Sequence, residues 1–110
     1  MPEIPHGWIV IKISKENESD VYKVFASWRG GYLDGDSWKL NSGIKRVEET
    51  DDKCIFYGYS GSEYHCNKIY YGVCSGYAGS VLDSIKGKIT NMGYDVEELP
   101  ATFDYKNLLK

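Results

Sequence analysis

Glycines and large aromatic residues are interleaved through the middle of the chain, residues 28–79, with almost no aliphatic runs. The chain reads Trp-Arg-Gly-Gly-Tyr-Leu-Asp-Gly-Asp-Ser-Trp from residue 28, Phe-Tyr-Gly-Tyr-Ser-Gly-Ser-Glu-Tyr-His-Cys from residue 56, and Tyr-Tyr-Gly-Val-Cys-Ser-Gly-Tyr-Ala-Gly from residue 70. Glycine lets the backbone turn sharply, and aromatic rings supply the buried area that short strands need. The pattern therefore predicts a compact, turn-rich β-sheet with aromatic rings near its surface.

Length and charge narrow the class of protein. A chain of 110 residues is typical of one domain, 1–110, and can bury a core without metals or disulfides. The net charge is −3 and the basic residues are scattered, whereas a protein that follows a phosphate backbone depends on clustered Lys and Arg. We therefore expect no direct binding of nucleic acid.

The N-terminal residues and the cysteines indicate the cellular compartment in which the protein is expected. The first residues, Met-Pro-Glu-Ile-Pro-His, have neither the basic nor the apolar region of a secretory signal, and no apolar run is long enough to span a membrane. The three cysteines include no Cys-x-x-Cys pair, which fits a reducing environment. We expect a soluble protein of the cytoplasm with no membrane partner.

Short β-branched or alternating runs predict strands. In residues 21–28 the side chains alternate with the period of two that is typical of a strand. Turn-forming residues separate the runs, among them the aspartate pair 51–52 and the glycine-serine segment 58–62. The predicted strands are residues 8–13, 21–28, 38–41, 44–49, 53–59 and 63–67.

One amphipathic helix is predicted in the C-terminal half. Ser80 is the expected N-cap, with Asp83 three residues later, and Gly93 is the expected left-handed residue after the last turn. The side chains expected to face the sheet are Val81, Leu82, Ile85, Ile89 and Met92.

These elements predict an α+β fold, in which one C-terminal-half helix packs on a twisted antiparallel meander of five to six strands. The chain after the helix carries apolar residues that either pack back on the domain or meet a partner. They are Phe103, Tyr105, Leu108 and Leu109.

Motifs for catalysis or metal binding are not found. The glycine-rich run 30–35 lacks the lysine of a phosphate-binding loop, and Asp34 and Asp36 are most simply turn residues. The cysteines lack the paired spacing of zinc ligands, and adjacent His65 and Cys66 would point to opposite faces of a strand. We expect no catalytic residues, no metal and no cofactor, hence a protein that is not an enzyme.

Aromatic and acidic residues are the candidates for partner binding. Trp28, Tyr32 and Trp38 flank the cations Arg29 and Lys39, a combination that can stack on a base or anchor a protein interface. The tryptophans could equally cover the edge of the sheet as part of the core. A charged rim is expected from the turn that contains Glu48, Glu49, Asp51 and Asp52.

The segments 30–32, 35–38 and 58–62 resemble small accessory proteins of bacteriophages and prophages for which no chemistry is defined. The resemblance covers about the middle half of the chain. It implies a protein that binds and blocks a host protein complex, for example a defence system such as CRISPR or restriction. The mild net charge departs from the strongly acidic DNA mimics among such inhibitors.

Two functions are therefore predicted. The first is a non-enzymatic, phage-derived binding protein that inhibits a host protein complex. The alternative is a protein that binds or sequesters a small ligand such as a nucleotide signal, using the aromatic loops and the helix start near Ser80. A homodimer is compatible with either function.

Overall fold

The computed structural model describes residues 2–31 and 35–110, and within them the chain forms seven strands and one 16-residue α-helix. The first sheet has the strand order β3-β2-β1-β7 and the second the order β4-β5-β6, and both are antiparallel. The elements are β1 (Gly7–Ser14), β2 (Val21–Gly31), β3 (Gly35–Leu40), β4 (Ile44–Glu49), β5 (Lys53–Gly58), β6 (Glu63–Asn67), α1 (Gly76–Asn91) and β7 (Asp95–Glu98).

The central strand β1 of the first sheet is buried on both faces, because it carries apolar residues at successive positions. Ile9, Ile11 and Ile13 pack under α1, whereas Trp8 and Val10 face the second sheet. Side chains of a strand alternate between faces, so an unbroken apolar run can serve two cores. The helix, the first sheet and the second sheet thus stack in layers.

The core between the two sheets is built around the buried ring of Trp8. Its centroid lies 5.6 Å from that of Phe56, 5.0 Å from that of Tyr71 and 5.5 Å from that of Tyr105. Tyr105 belongs to the C-terminal segment, which therefore packs back on the domain. Leu108 of the same segment is also buried.

The α+β fold class is confirmed, and each predicted strand is present. The expected meander of five to six strands is nevertheless divided between two sheets. After β3, the side chain of Asn41 accepts a hydrogen bond from Val24 N–H (2.8 Å), and the chain then turns into the second layer. The additional strand, β7, was not predicted, and it pairs with β1 through Ile13 and Val96.

The helix begins five residues earlier than predicted, at Gly76 rather than after Ser80. The N-cap is Ser75, whose extended backbone (φ −162°, ψ 168°) lets its hydroxyl accept a hydrogen bond from Ala78 N–H. Ala78 is buried against the first sheet, and this packing offsets the low helix propensity of the glycines in the first turns.

The predicted C-terminal end of the helix is confirmed, since Gly93 has a φ of +93° just after the C-cap residue Met92. Leu82 is buried, and Val81, Ile85 and Ile89 pack against the core beneath the helix. The prediction that Met92 joins this core is wrong. Its side chain is 67% exposed because it follows the last helical turn.

Candidate functional site

Four exposed large apolar side chains lie on the segment that joins the second sheet to α1, and we refer to them as the exposed apolar surface. We call residues 68–77 the entry segment; it starts with a short 3₁₀ helix (Lys68–Tyr70) and ends in the first turn of α1. Exposed large apolar side chains of soluble proteins mark interaction sites when they cluster. Those of the entry segment, with their exposed fractions, are Ile69 (79%), Tyr70 (49%), Val73 (38%) and Tyr77 (55%).

The backbone of the entry segment is held firmly against β1. Trp8 Nε1–H donates to the carbonyl of Asn67 (2.7 Å), and Gly72 N–H donates to the carbonyl of Trp8 (2.7 Å). A Cβ on Gly7 would lie 2.5 Å from the carbonyl oxygen of Gly72, so only glycine permits this approach. The side chain of Asn67 also accepts from Ile69 N–H (3.0 Å).

Arg29 joins this surface from the end of β2. Its Nε–H donates to the carbonyl of Cys74 (3.2 Å), and its backbone N–H donates to Nδ1 of His6 (2.8 Å). Because Nδ1 of His6 accepts this hydrogen bond, the ring proton of a neutral His6 lies on Nε2, which is then the donor. Among the described residues, His6, Arg29 and Tyr70 line a surface cavity of about 320 Å³.

The two tryptophans of the predicted site do not come together. Trp28 faces the second sheet and its Nε1–H donates to the carbonyl of Ile4 (2.9 Å). Trp38, 39% exposed, stacks on Phe25 on the helix side (centroids 5.9 Å apart, planes at 22°). Ser27 is the register partner of Trp38, so Trp28 and Trp38 alternate to opposite faces.

Other hairpin residues are either structural or outside the described residues. Tyr32 and Asp34 lie outside the described residues. Asp36 accepts a hydrogen bond from Gly30 N–H (2.8 Å), and the influence of the Ser75 hydroxyl foremost, together with this bond, lowers the pKa of its carboxyl. Lys39 points away from Trp38 and pairs with Glu3 (2.8 Å), which raises the pKa of Lys39.

The predicted acidic rim occupies the β4–β5 turn of the second sheet, but its members differ in role. Glu49 binds Lys68 Nζ (2.8 Å) and accepts from Lys106 N–H (2.9 Å), and these bonds, that from Lys68 foremost, lower the pKa of its carboxyl. Glu48 accepts from the hydroxyl of Tyr57, which raises the pKa of Tyr57.

Asp51 and Asp52 are the exposed tip of this turn. Thr50 Oγ1–H donates to the Asp52 carboxylate (2.8 Å), and the carbonyl of Asp52 accepts from Lys68 N–H (2.9 Å). Since Lys68 begins the entry segment, the acidic turn adjoins the exposed apolar surface rather than the tryptophans. Of the predicted contact residues, Arg29 shares a cavity with Tyr70 of the entry segment, and the acidic turn bonds to Lys68 at the start of that segment.

His6, Ile69, Tyr70 and Tyr77 are the surface residues that sequence reasoning did not single out. Residues 68–71 read Lys-Ile-Tyr-Tyr, and neither strand alternation nor helical spacing assigns them to an element. The sequence signal that could have identified this surface is an apolar run that belongs to no predicted element and is followed by glycine.

The cysteines occupy the interior. Cys54 and Cys66 are register partners on β5 and β6, and both are fully buried. His65 lies on the opposite face, where it pairs with Glu63. Within the described part of the chain, no three His, Cys, Asp or Glu side chains gather as metal ligands would.

A second concave site lies at the far end of α1, between the helix and β2–β3. It is a groove of about 460 Å³, within the range of small-molecule sites. We call it the helix groove. Most of its lining is aliphatic; the residues are Ile13, Glu18, Ser19, Val21, Lys23, Leu40, Ile85, Lys88, Ile89, Met92 and Tyr94.

Comparisons with family models, with curated proteins and with solved structures found no match to this chain. Among the described residues, no helix has both the length and the apolar character that crossing a bilayer requires.

Proposed function

We propose that the protein is a non-enzymatic binding protein that attaches to a host protein complex through the entry segment and Arg29. Exposure of Ile69, Tyr70, Val73 and Tyr77 on one ten-residue segment is the observation that supports this proposal. Tyr and Arg are the residue types that most often dominate protein interfaces.

The rigidity of the surface favours binding. The hydrogen bonds from Trp8 to Asn67 and from Gly72 to Trp8 hold the backbone before a partner arrives. A preordered surface loses less conformational entropy on association than a mobile loop does. Asp51 and Asp52, beside Lys68, would add electrostatic steering toward a basic partner.

The resemblance to phage accessory proteins directs the first test to bacterial defence complexes. The tagged protein would be incubated with purified CRISPR and restriction complexes, and the dissociation constant measured. We expect Tyr70→Ala to weaken binding about 30-fold, the equivalent of ~2 kcal/mol, if Tyr70 is an interface anchor. Loss of inhibition should follow in a plaque assay with cells that carry the defence system.

Tyr59→Ala is the matched control. Tyr59 is also an exposed tyrosine, 70% accessible, but it lies in the β5–β6 turn of the second sheet. The Tyr59→Ala substitution should leave both the binding of the complex and the melting temperature unchanged. Equal effects of the two substitutions, or no binding to any complex together with no effect on plaque counts, would contradict the proposal.

Binding of a small nucleotide is the second candidate, supported by the cavity lined by His6, Arg29 and Tyr70. An aromatic ring beside a guanidinium can hold a base by stacking and a phosphate by charge. A thermal-shift screen with mono-, di- and cyclic nucleotides tests this. A ligand at 100 times its dissociation constant adds about 2.7 kcal/mol of stability, and Arg29→Ala should abolish that gain. A screen without any shift would reject this candidate.

A further inference from the structure

The helix groove combines an aliphatic lining with a partly buried cation. Ile85 and Ile89 come from α1, whereas Leu40 comes from β3 and Val21 and Lys23 from β2. The groove is therefore formed by side chains of two layers that do not close completely over each other. Met92, 67% exposed, stands at its outer rim.

The ammonium group of Lys23 is incompletely compensated. Its Nζ donates to the carbonyls of Asn41 and Ser42, both at 3.2 Å, and burial lowers the pKa of Lys23. An ammonium has three N–H donors, so two neutral acceptors leave one donor over. No carboxylate among the described residues lies within 4.0 Å of Lys23 Nζ.

Among the described residues, the other charged side chains that line the groove are Lys88 and Glu18, and Lys15 lies close to a third lining residue, Tyr94. Lys88 of α1 lines it, and Lys15 Nζ stands 4.9 Å from the ring centroid of Tyr94, another lining residue. Glu18 lines the groove from the β1–β2 loop and accepts from the Tyr94 hydroxyl (3.3 Å). The cations outnumber the carboxylate, so the groove favours an anion over a cation.

We propose that the helix groove binds an aliphatic carboxylate, with the hydrocarbon chain between α1 and β2–β3 and the carboxylate on Lys23. A charge-assisted hydrogen bond to Lys23 would use the donor that the main-chain carbonyls leave over. The chain would cover Ile85, Ile89 and Leu40, which now border the open groove. This site is separate from the entry segment and does not depend on the proposed function.

Titration of the protein with hexanoate, octanoate and decanoate, below their micelle concentrations, tests the proposal by NMR chemical shifts. We expect shifts confined to residues of the helix groove. Affinity should rise about fourfold for each added methylene, as follows from ~0.8 kcal/mol per buried CH₂. Octanol, with the same chain and no charge, should bind at least tenfold more weakly than octanoate.

Two substitutions should change the affinity for octanoate in opposite directions. Lys23→Met keeps an unbranched apolar stem and should weaken octanoate binding at least tenfold, whereas Glu18→Gln should tighten it. Lys45→Met, at an exposed lysine outside the groove, is the matched control and should have no effect. Circular dichroism would establish that each variant is folded.

Three results would overturn the proposal. They are octanol binding as tightly as octanoate, shifts that map away from the groove, and unchanged octanoate affinity in folded Lys23→Met. A concentration-dependent dimer that Ile89→Lys dissociates would instead assign the groove to a second copy of the chain. That outcome would also overturn the carboxylate proposal.

Discussion

Cys54 and Cys66 show how position on a strand determines the chemistry of a side chain. They face each other between the two sheets, where water does not reach either sulfur. Burial raises the pKa of the Cys54 thiol to about 11 and that of Cys66 well above its usual value. Since the thiolate is the reactive form, these residues act as small apolar core side chains.

The same burial predicts loss of stability in alkali. An unfolded cysteine has a pKa of about 8.5, so as pH rises the unfolded state loses its proton before the folded state does. The free energy of unfolding is therefore unaffected below about pH 8.5 and declines as pH rises toward the folded pKa. Between pH 7.5 and 9.5 each buried thiol should account for a loss of about 1 kcal/mol.

Urea unfolding at pH 7.5, 8.5 and 9.5 measures this decline. We expect Cys54→Ala to lower the free energy of unfolding at every pH. The decline of that free energy with rising pH should be smaller in the variant, by the contribution of one thiol. An equally steep decline in the variant would show that Cys54 does not titrate on unfolding.

At the scale of elements, α1 is stabilised by its packing more than by its own sequence. Two glycines lie in its first turn, Gly76 and Gly79, and each lowers helix propensity by about 1 kcal/mol relative to Ala. The Ser75 cap and the burial of Ala78 and Leu82 against the first sheet compensate for this. Helical residues should therefore differ sharply in their effect on stability.

Leu82→Ala should lower the free energy of unfolding by about 2–5 kcal/mol, because it removes buried methyl groups and leaves a cavity. Met92→Ala should change it by less than about 0.5 kcal/mol, because that side chain is largely in solvent. Ile85→Ala should fall between them, since Ile85 is half-buried. Chemical denaturation of the three variants measures the order, and a cost for Met92→Ala equal to that of Leu82→Ala would refute it.

At the scale of the whole molecule, the C-terminal segment completes the core between the sheets. Tyr105 packs on Trp8 and on Phe56, at centroid distances of 5.5 and 5.8 Å. Its hydroxyl donates to the carbonyl of Pro100 (2.7 Å), and Lys106 N–H donates to Glu49 of the second sheet. The segment therefore couples both sheets, although it is the last part of the chain.

Tyr105→Ala should cost about 3–5 kcal/mol, as large aromatic truncations in a core do. Leu109→Ala, four residues later and 46% exposed, is the control and should be nearly neutral. Melting temperatures would separate the two variants. A small effect of Tyr105→Ala would mean that the segment detaches from the sheets in solution.

The local pattern of the chain was sufficient to predict six of the seven strands and the end of the helix, but not β7 or the start of the helix. Short β-branched or alternating runs locate the predicted strands, and the aspartate pair 51–52 and the segment 58–62 lie at turns between strands. The helix ends just before Gly93, which adopts a φ of +93°. Glycine takes up this left-handed conformation readily, whereas other residues do so only at a cost in free energy. These features depend on residues that are close in sequence, so the sequence predicts them without knowledge of the fold.

Only the tertiary structure decided how the elements are arranged and what they expose. Nothing local assigns β1–β3 and β4–β6 to different sheets, or places Tyr105 on Trp8. The candidate site depends on the same long-range contacts, since His6, Arg29 and Tyr70 are distant in sequence and meet at one cavity. Alternation shows that Trp28 and Trp38 lie on strands, but the register of β2 with β3 separates them to opposite faces.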